Sequence, residues 1–124
     1  MHLLHKSIIF LFLLSILSKQ KCLAEINSSK KEALAFFDKI DKTKENSFWP
    51  NIKPKLFYDN LKLNLENPKS FYPGRSTNFC AYGALSYLVM EKDPLGYVKF
   101  MNELYDKGQA TFNNNHFKPS KEVM

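Results

Sequence analysis

Apolar positions divide the chain into one continuous run near its start and several amphipathic stretches after it. The continuous run, residues 7–17 (SIIFLFLLSIL), is shorter than the roughly 20 apolar residues that a membrane-spanning helix needs. A basic start before a short apolar core is typical of a signal peptide, and Cys22 and Ala24 supply small residues at positions −3 and −1 before Glu25. We therefore expect removal of residues 1–24 and a secreted or periplasmic protein; the alternative is membrane tethering by an uncleaved signal anchor.

The first amphipathic stretch has a well-marked beginning. Ser29 and Glu32 have the spacing of a capping box, in which the serine hydroxyl accepts from the Glu32 amide and the glutamate accepts from the serine amide. Apolar residues then repeat at helical spacing on one face: Ala33, Phe36, Phe37 and Ile40. This pattern predicts a first helix, followed by a polar linker over residues 41–46.

A second helix is predicted between Pro54 and Asn67. Proline suits the first position of a helix because its missing amide would have no partner there. The side chains expected to face inward are Leu56, Phe57 and Leu61. Residues 61–65 (LKLNL) also alternate with period two, so a strand is the alternative for that part. Residues 69–75 (KSFYPGR) follow and predict a turn, since they contain a Pro-Gly pair.

The third and fourth helices are predicted to follow each other with almost no loop. Over residues 79–90, Ser86 is the only polar side chain apart from tyrosine hydroxyls, so residues 78–92 are expected to form a buried central helix. The fourth helix is expected to be capped by Asp93, to hold a proline in its first turn and to end at Gly108. Its inward stripe is Leu95, Val98, Met101, Leu104 and Tyr105.

The last residues predict a short strand or loop over residues 110–117 and a helix start at Ser120. The fold class is therefore mainly α, a single small domain of four helices over residues 25–124 with a short C-terminal strand or loop. Two interpretations of the helix start stay open. It is either a frayed tail, or the beginning of a further element in a longer α+β fold of which this chain is the front lobe, incomplete at its C-terminus.

The charge and the residue inventory exclude several kinds of site. The chain has 18 basic and 12 acidic residues, and loss of residues 1–24 would remove three lysines and no acid. The remaining lysines are scattered and do not form the basic stripe that a nucleic-acid partner requires. Beyond residue 24 the only cysteine is Cys80 and the only histidine is His116. One cysteine and one histidine are too few for a zinc site. We expect no metal, no other cofactor and no stable membrane insertion after signal cleavage.

Cys80 is the main candidate for chemistry. In the stretch STNFCAYG it follows the polar residues 76–78, which would place it in the first turn of the third helix. The dipole of a helix favours an anion there, and the thiolate is the nucleophilic form of cysteine. The alternative is an inert thiol packed beside Phe79 and Leu85, because cysteine is among the most frequently buried residue types.

A cysteine that opens an apolar helix in an exported protein resembles the N-terminal helical lobe of papain-like cysteine peptidases, over Ser76–Leu88. The resemblance implies a thiol hydrolase in which Cys80 is the nucleophile and His116 the base. In that family a glutamine ahead of the cysteine donates to the oxyanion. Gly74 stands at this position here, so the side-chain donor is missing.

The competing hypothesis is a non-catalytic, exported binding or accessory module, and the sequence favours it slightly. Its basis is the aromatic residues in two turn-like segments, residues 47–50 (SFWP) and 70–75 (SFYPGR). It predicts a protein or peptide partner, an inert and buried Cys80, and an exposed apolar patch. The residues expected in that patch are Phe48, Trp49 and Tyr72.

Asn27, Ser28 and Ser29 also form the acceptor sequence for an N-linked glycan. This has meaning only in a host that modifies asparagine. The same serine belongs to the capping box, so a local structural role already accounts for it.

Overall fold

The computed structural model describes residues 27–71, 80–122 and 124. Within them the chain forms four α-helices, one 3-10 turn and one antiparallel hairpin. The elements are α1 (Lys30–Asp38), α2 (Pro54–Glu66), the 3-10 turn (Pro68–Ser70), α3 (Cys80–Lys92), α4 (Pro94–Lys107), β1 (Ala110–Phe112) and β2 (Asn115–Phe117). The mainly α fold with a short C-terminal strand segment is confirmed. The predicted signal peptide, residues 1–24, and the predicted Pro-Gly turn lie outside the described residues.

The helix ends follow from local chemistry. The capping box of α1 is present, since the Ser29 amide donates to Glu32 Oε2 at 2.7 Å and the Glu32 amide donates to Ser29 Oγ at 3.2 Å. At the start of α4 the Gly96 amide donates to Asp93 Oδ1 at 3.0 Å. The same helix ends at Gly108, whose φ of 67° lies in the left-handed region that glycine enters without a steric penalty.

Residues 61–65 are helical, so the strand alternative for this segment is wrong. Leu61 and Leu65 are both 2% exposed, whereas Leu63 between them is 47% exposed. Residues four apart share one face of a helix, so the helical geometry buries the outer two leucines together. The period-two alternation in the sequence was a coincidence of where Lys62 and Asn64 fall.

The helix at the centre of the fold is α4. It packs against α1, α2, α3 and β1. Tyr97, Val98 and Tyr105 are its buried contribution to the core. The other core side chains come from the helices around it: Ala33, Phe37, Tyr58, Leu61, Leu65 and Met90.

The expectation that α3 is a buried central helix is wrong. Among the residues of α3 only Gly83 and Met90 are buried, while Leu85 is 59% and Leu88 53% exposed. In the described part of the chain α3 packs on one side, against α4 and the 3-10 turn. An all-round apolar composition shows that a helix can be buried, but burial also requires a neighbour on each side.

Aromatic rings join α2 and the loop before it to α4. Phe57 stacks on Tyr105 with ring centroids 4.1 Å apart, and Tyr58 meets the Tyr105 ring edge-on at 5.7 Å. The loop is held by hydrogen bonds to or from α4: Tyr105 Oη donates to the Ile52 carbonyl at 2.8 Å, and Trp49 Nε1 donates to the Leu104 carbonyl at 3.0 Å. Each buried polar ring atom therefore has a partner.

The predicted segment over residues 110–117 is a tight hairpin. Asn113 and Asn114 both have positive φ, 47° and 65°, as the two central residues of a type I′ turn require, and asparagine tolerates this region better than most residues. Phe100 of α4 packs edge-on against Phe112 and Phe117, with centroids 5.8 and 5.2 Å away. After the hairpin, residues 121–122 form a turn and not the predicted start of a helix.

Truncation of Leu65 to alanine should destabilise the fold, because this side chain is 2% exposed within the core. We expect the free energy of unfolding to fall by about 2–5 kcal/mol. The matched control is Leu63→Ala on the exposed side of the same helix, which should change it by about 0.5 kcal/mol or less. Urea unfolding followed by circular dichroism measures both, and equal losses would contradict the burial of Leu65.

Alkaline pH should weaken the fold through Tyr58. Burial, with a smaller contribution from nearby Asp106, raises the pKa of Tyr58 from 10.0 to about 12. Below pH 10 the phenol is protonated in both states and its contribution to stability is complete. Between pH 10 and about 12 the unfolded chain loses the proton while the folded chain keeps it, so stability falls as pH rises through this window.

The test compares wild type with Tyr58→Phe, which cannot ionise, by urea unfolding at about pH 8 and about pH 11. The variant should lose less stability than wild type over this interval, although burial also raises the pKa of Tyr97 and Tyr105, which remain. An identical loss in the two proteins would show that Tyr58 is not a source of the alkaline destabilisation.

Candidate functional site

A groove of about 280 Å³ lies between α3, α4 and the hairpin, and we call it the α3 groove. Its main lining side chains are Tyr82, Leu85 and Val89 from α3, Phe100 from α4, and Phe112 and Phe117 from the hairpin. The α3 residues are spaced three and four apart, so they form one stripe along the helix. The hairpin supplies the opposite wall because Phe100 holds its two phenylalanines in place.

A second groove of about 260 Å³, the α2 groove, lies between α2 and α4. It includes Ile52, Leu56 and Phe57 from α2 and the loop before it. Both grooves are lined by Tyr97 and Met101, so they adjoin along α4. Together they form what we call the apolar surface, with Leu56 58% exposed at one side and Leu85 59% exposed at the other.

The apolar surface carries no formal charge in the described part of the chain. The polar side chains that line it are Ser86 in the α3 groove and Asn60 and Asn64 in the α2 groove. The charged residues of α2 pair with each other instead, Lys55 with Asp59 at 2.5 Å and Lys62 with Glu66 at 3.8 Å. A concave surface of aromatic and aliphatic side chains with a few neutral polar groups is typical of a binding site.

Cys80 is the first residue of α3, and it is exposed. The expectation that the thiol is buried beside Leu85 is therefore wrong. The physical reason is the one-sided packing of α3, which in the described ranges packs mainly against α4 and the 3-10 turn. The polar residues 76–78 and Gly74, on which the capping and oxyanion arguments rest, lie outside the described residues.

His116 lies on β2, exposed, with its Nδ1 3.4 Å from Thr111 Oγ1. In the hairpin, Thr111 pairs with His116 and Ala110 with Phe117. Side chains alternate between the two faces of a strand, so His116 is on the face opposite the phenylalanines that line the α3 groove. Within the described residues no hydrogen bond joins His116 to Cys80.

The histidine lies near a carboxylate of α4. The hydrogen bond from Lys107, at 2.9 Å, holds the pKa of Glu103 below its usual range, and nearby His116 contributes a smaller effect in the same direction. His116 therefore belongs to a solvated, charged side of the molecule.

Of the patch predicted around Phe48, Trp49 and Tyr72, the structure describes Phe48, which is exposed, and Trp49, which is not fully so. Trp49 is partly buried and donates its indole hydrogen to the Leu104 carbonyl, so it anchors a loop. Phe48 is 42% exposed, and its ring lies against Gly108, where an added Cβ would be only 2.6 Å from the ring. Tyr72 lies outside the described residues.

Sequence reasoning missed the apolar surface because it assigned α3 to the interior. The signal was present, since residues 80–90 contain no charged side chain, but it was interpreted as evidence of burial. In the described ranges, no three Cys, His, Asp or Glu residues are grouped so that they could hold a metal ion. None of the described helices has the length and apolarity to cross a membrane.

The exposure of Cys80 should make it react with iodoacetamide in the native protein. We expect a labelling rate within about an order of magnitude of that in urea at the same pH, since access does not require unfolding. His116→Ala should leave the rate unchanged, because the histidine faces away from α3. Protection of the native thiol would contradict its exposure, and slower labelling of the His116 variant would contradict the separation of the two residues.

Comparison of the chain with known protein families, with curated proteins and with solved structures finds no match. The resemblance to papain-like peptidases therefore rests on the residues around Cys80 alone. The function has to be argued from the geometry of the molecule.

Proposed function

We propose that this protein is an exported, non-catalytic binding module that holds an apolar segment of another protein on its apolar surface. The observation that carries the proposal is the pair of adjoining grooves across α4, lined by aromatic and aliphatic side chains and without a charge in the described residues. The export part of the proposal rests on the interpretation of residues 1–24 as a signal peptide.

The exposed leucines indicate what such a partner would gain. Leu56 and Leu85 are each more than half exposed, at 58 and 59%. Full burial of a leucine side chain is worth roughly 1.5–3 kcal/mol, so a partner that covers these residues recovers a substantial part of that free energy. Binding would offset it in part through lost translational freedom and side-chain ordering.

The shape and neutrality of the surface favour one class of partner. A charged segment would lose hydration without finding an opposite charge, because the polar groups in the grooves are neutral. An apolar helix face or apolar extended peptide avoids this cost and matches the groove wall on α3. The neutral side chain of Ser86 in the α3 groove can orient the peptide backbone.

A thiol hydrolase with Cys80 as nucleophile is the second candidate, favoured by one observation. Cys80 is exposed at the first residue of a 13-residue helix, so its thiol is open to a substrate. The face occupied by His116 argues against it, because a base must come within hydrogen-bond reach of the thiol. For this reason the binding module is preferred.

The test is the selection of peptide ligands for residues 25–124 from a displayed random-peptide library. The selected peptides should be rich in apolar residues and poor in charge. Leu85→Glu should weaken their binding by about tenfold or more, because it places a charge in the centre of the binding surface. Leu63→Glu is the matched control; Leu63 is 47% exposed but lines neither groove, so this variant should bind as wild type does.

Three results would overturn the proposal. One is selection of charged peptides only, and another is equal binding by the two variants. The third is self-association of residues 25–124 that Leu85→Glu abolishes, seen by sedimentation, because the occupant of the surface would then be a second copy of the chain. Thermal unfolding of both variants establishes that each is folded.

A further inference from the structure

We infer that Asn27 is the acceptor of an N-linked glycan when the chain is exported through a pathway that modifies asparagine. The inference rests on the export part of the proposed function. Asn27, Ser28 and Ser29 are the only Asn-x-Ser or Asn-x-Thr sequence in the chain with a residue other than proline in the middle. In the proposed mature protein Asn27 would be the third residue.

The folded structure leaves room for a modification at this residue. Asn27 is exposed, and its backbone amide donates to the Lys92 carbonyl at 2.9 Å, at the end of α3. Its side-chain amide makes no hydrogen bond with any described residue, so a sugar attached to it would replace no hydrogen bond within the described part of the chain. The backbone hydrogen bond would hold the attachment point at the corner between α3 and α4.

The two serines of the sequence have structural roles after folding. Ser29 Oγ donates to Glu32 Oε2 at 2.7 Å and accepts from the Glu32 amide at 3.2 Å. Ser28 Oγ donates to Asp93 Oδ1 and accepts from the Leu95 amide at 3.0 Å. Neither hydroxyl is free in the folded protein.

These contacts set the order of events. The hydroxyl of the third residue, Ser29, is part of what makes the asparagine an acceptor, so modification has to precede formation of the α1 cap. That cap forms with α1, and the neighbouring Ser28 cannot complete its own bonds until residues 93–95 have arrived. The glycan is therefore added to the extended chain, and the fold later closes around the two serines.

The experiment expresses the full chain in a eukaryotic cell line and examines the secreted protein by mass spectrometry and gel mobility. We expect a chain that begins at Glu25 and carries one glycan, which peptide N-glycosidase F removes. Asn27→Gln should be secreted without the glycan. The informative pair is Ser29→Thr, which keeps both the acceptor sequence and a helix cap, and Ser29→Asp, which keeps only the cap.

Ser29→Thr should retain the glycan and Ser29→Asp should lose it, while both remain folded and secreted. Secretion of an unmodified wild-type chain would overturn this inference and leave export intact. Failure of secretion would overturn the export part of the proposed function, and the inference with it. A glycan that persists in Asn27→Gln would place the modification elsewhere and would also overturn the inference.

Discussion

The packing of helices, loop and hairpin onto α4 is the constraint that organises this molecule. Tyr105 illustrates it, since its ring stacks on Phe57 while its hydroxyl bonds the Ile52 carbonyl. One side chain therefore fixes α2 and the preceding loop at the same time. At the other side, Phe100 fixes the hairpin through two edge-on contacts. The amphipathic helix α4 can occupy this central position because its buried apolar side chains pack against other elements. Its polar residues also have partners.

The same arrangement produces the apolar surface. The neighbours of α4 leave Tyr97 and Met101 as the shared floor of two grooves, with α2 on one side and α3 on the other. Because α3 packs, among the described residues, mainly against α4 and the 3-10 turn, its apolar residues become a groove wall. The apolar surface, which suggests a binding function, therefore exists because few elements of the described fold pack around α3.

The two candidate catalytic residues show that the presence of suitable residue types in a sequence does not establish a catalytic pair. A sole cysteine and a sole histidine beyond residue 24 are an obvious pair in the sequence. Strand register decides otherwise, since pairing of Thr111 with His116 turns the histidine away from the groove that α3 lines. A shift of one residue would have exchanged His116 and Phe117 between the two faces. Nothing in the local sequence specifies that register apart from the asparagine turn.

The sequence by itself determined the features that depend on neighbours along the chain. The capping box at Ser29, the Asp93 cap, the left-handed Gly108 and the four-helix composition are local, because each involves residues within a few positions of one another. Only the tertiary structure decided which helix is central, whether residues 61–65 are helical, and whether Cys80 is exposed. Those outcomes depend on which elements pack against each other across the fold. The sequence does not reveal this, because the same apolar residue can lie in a core or on an uncovered helix face.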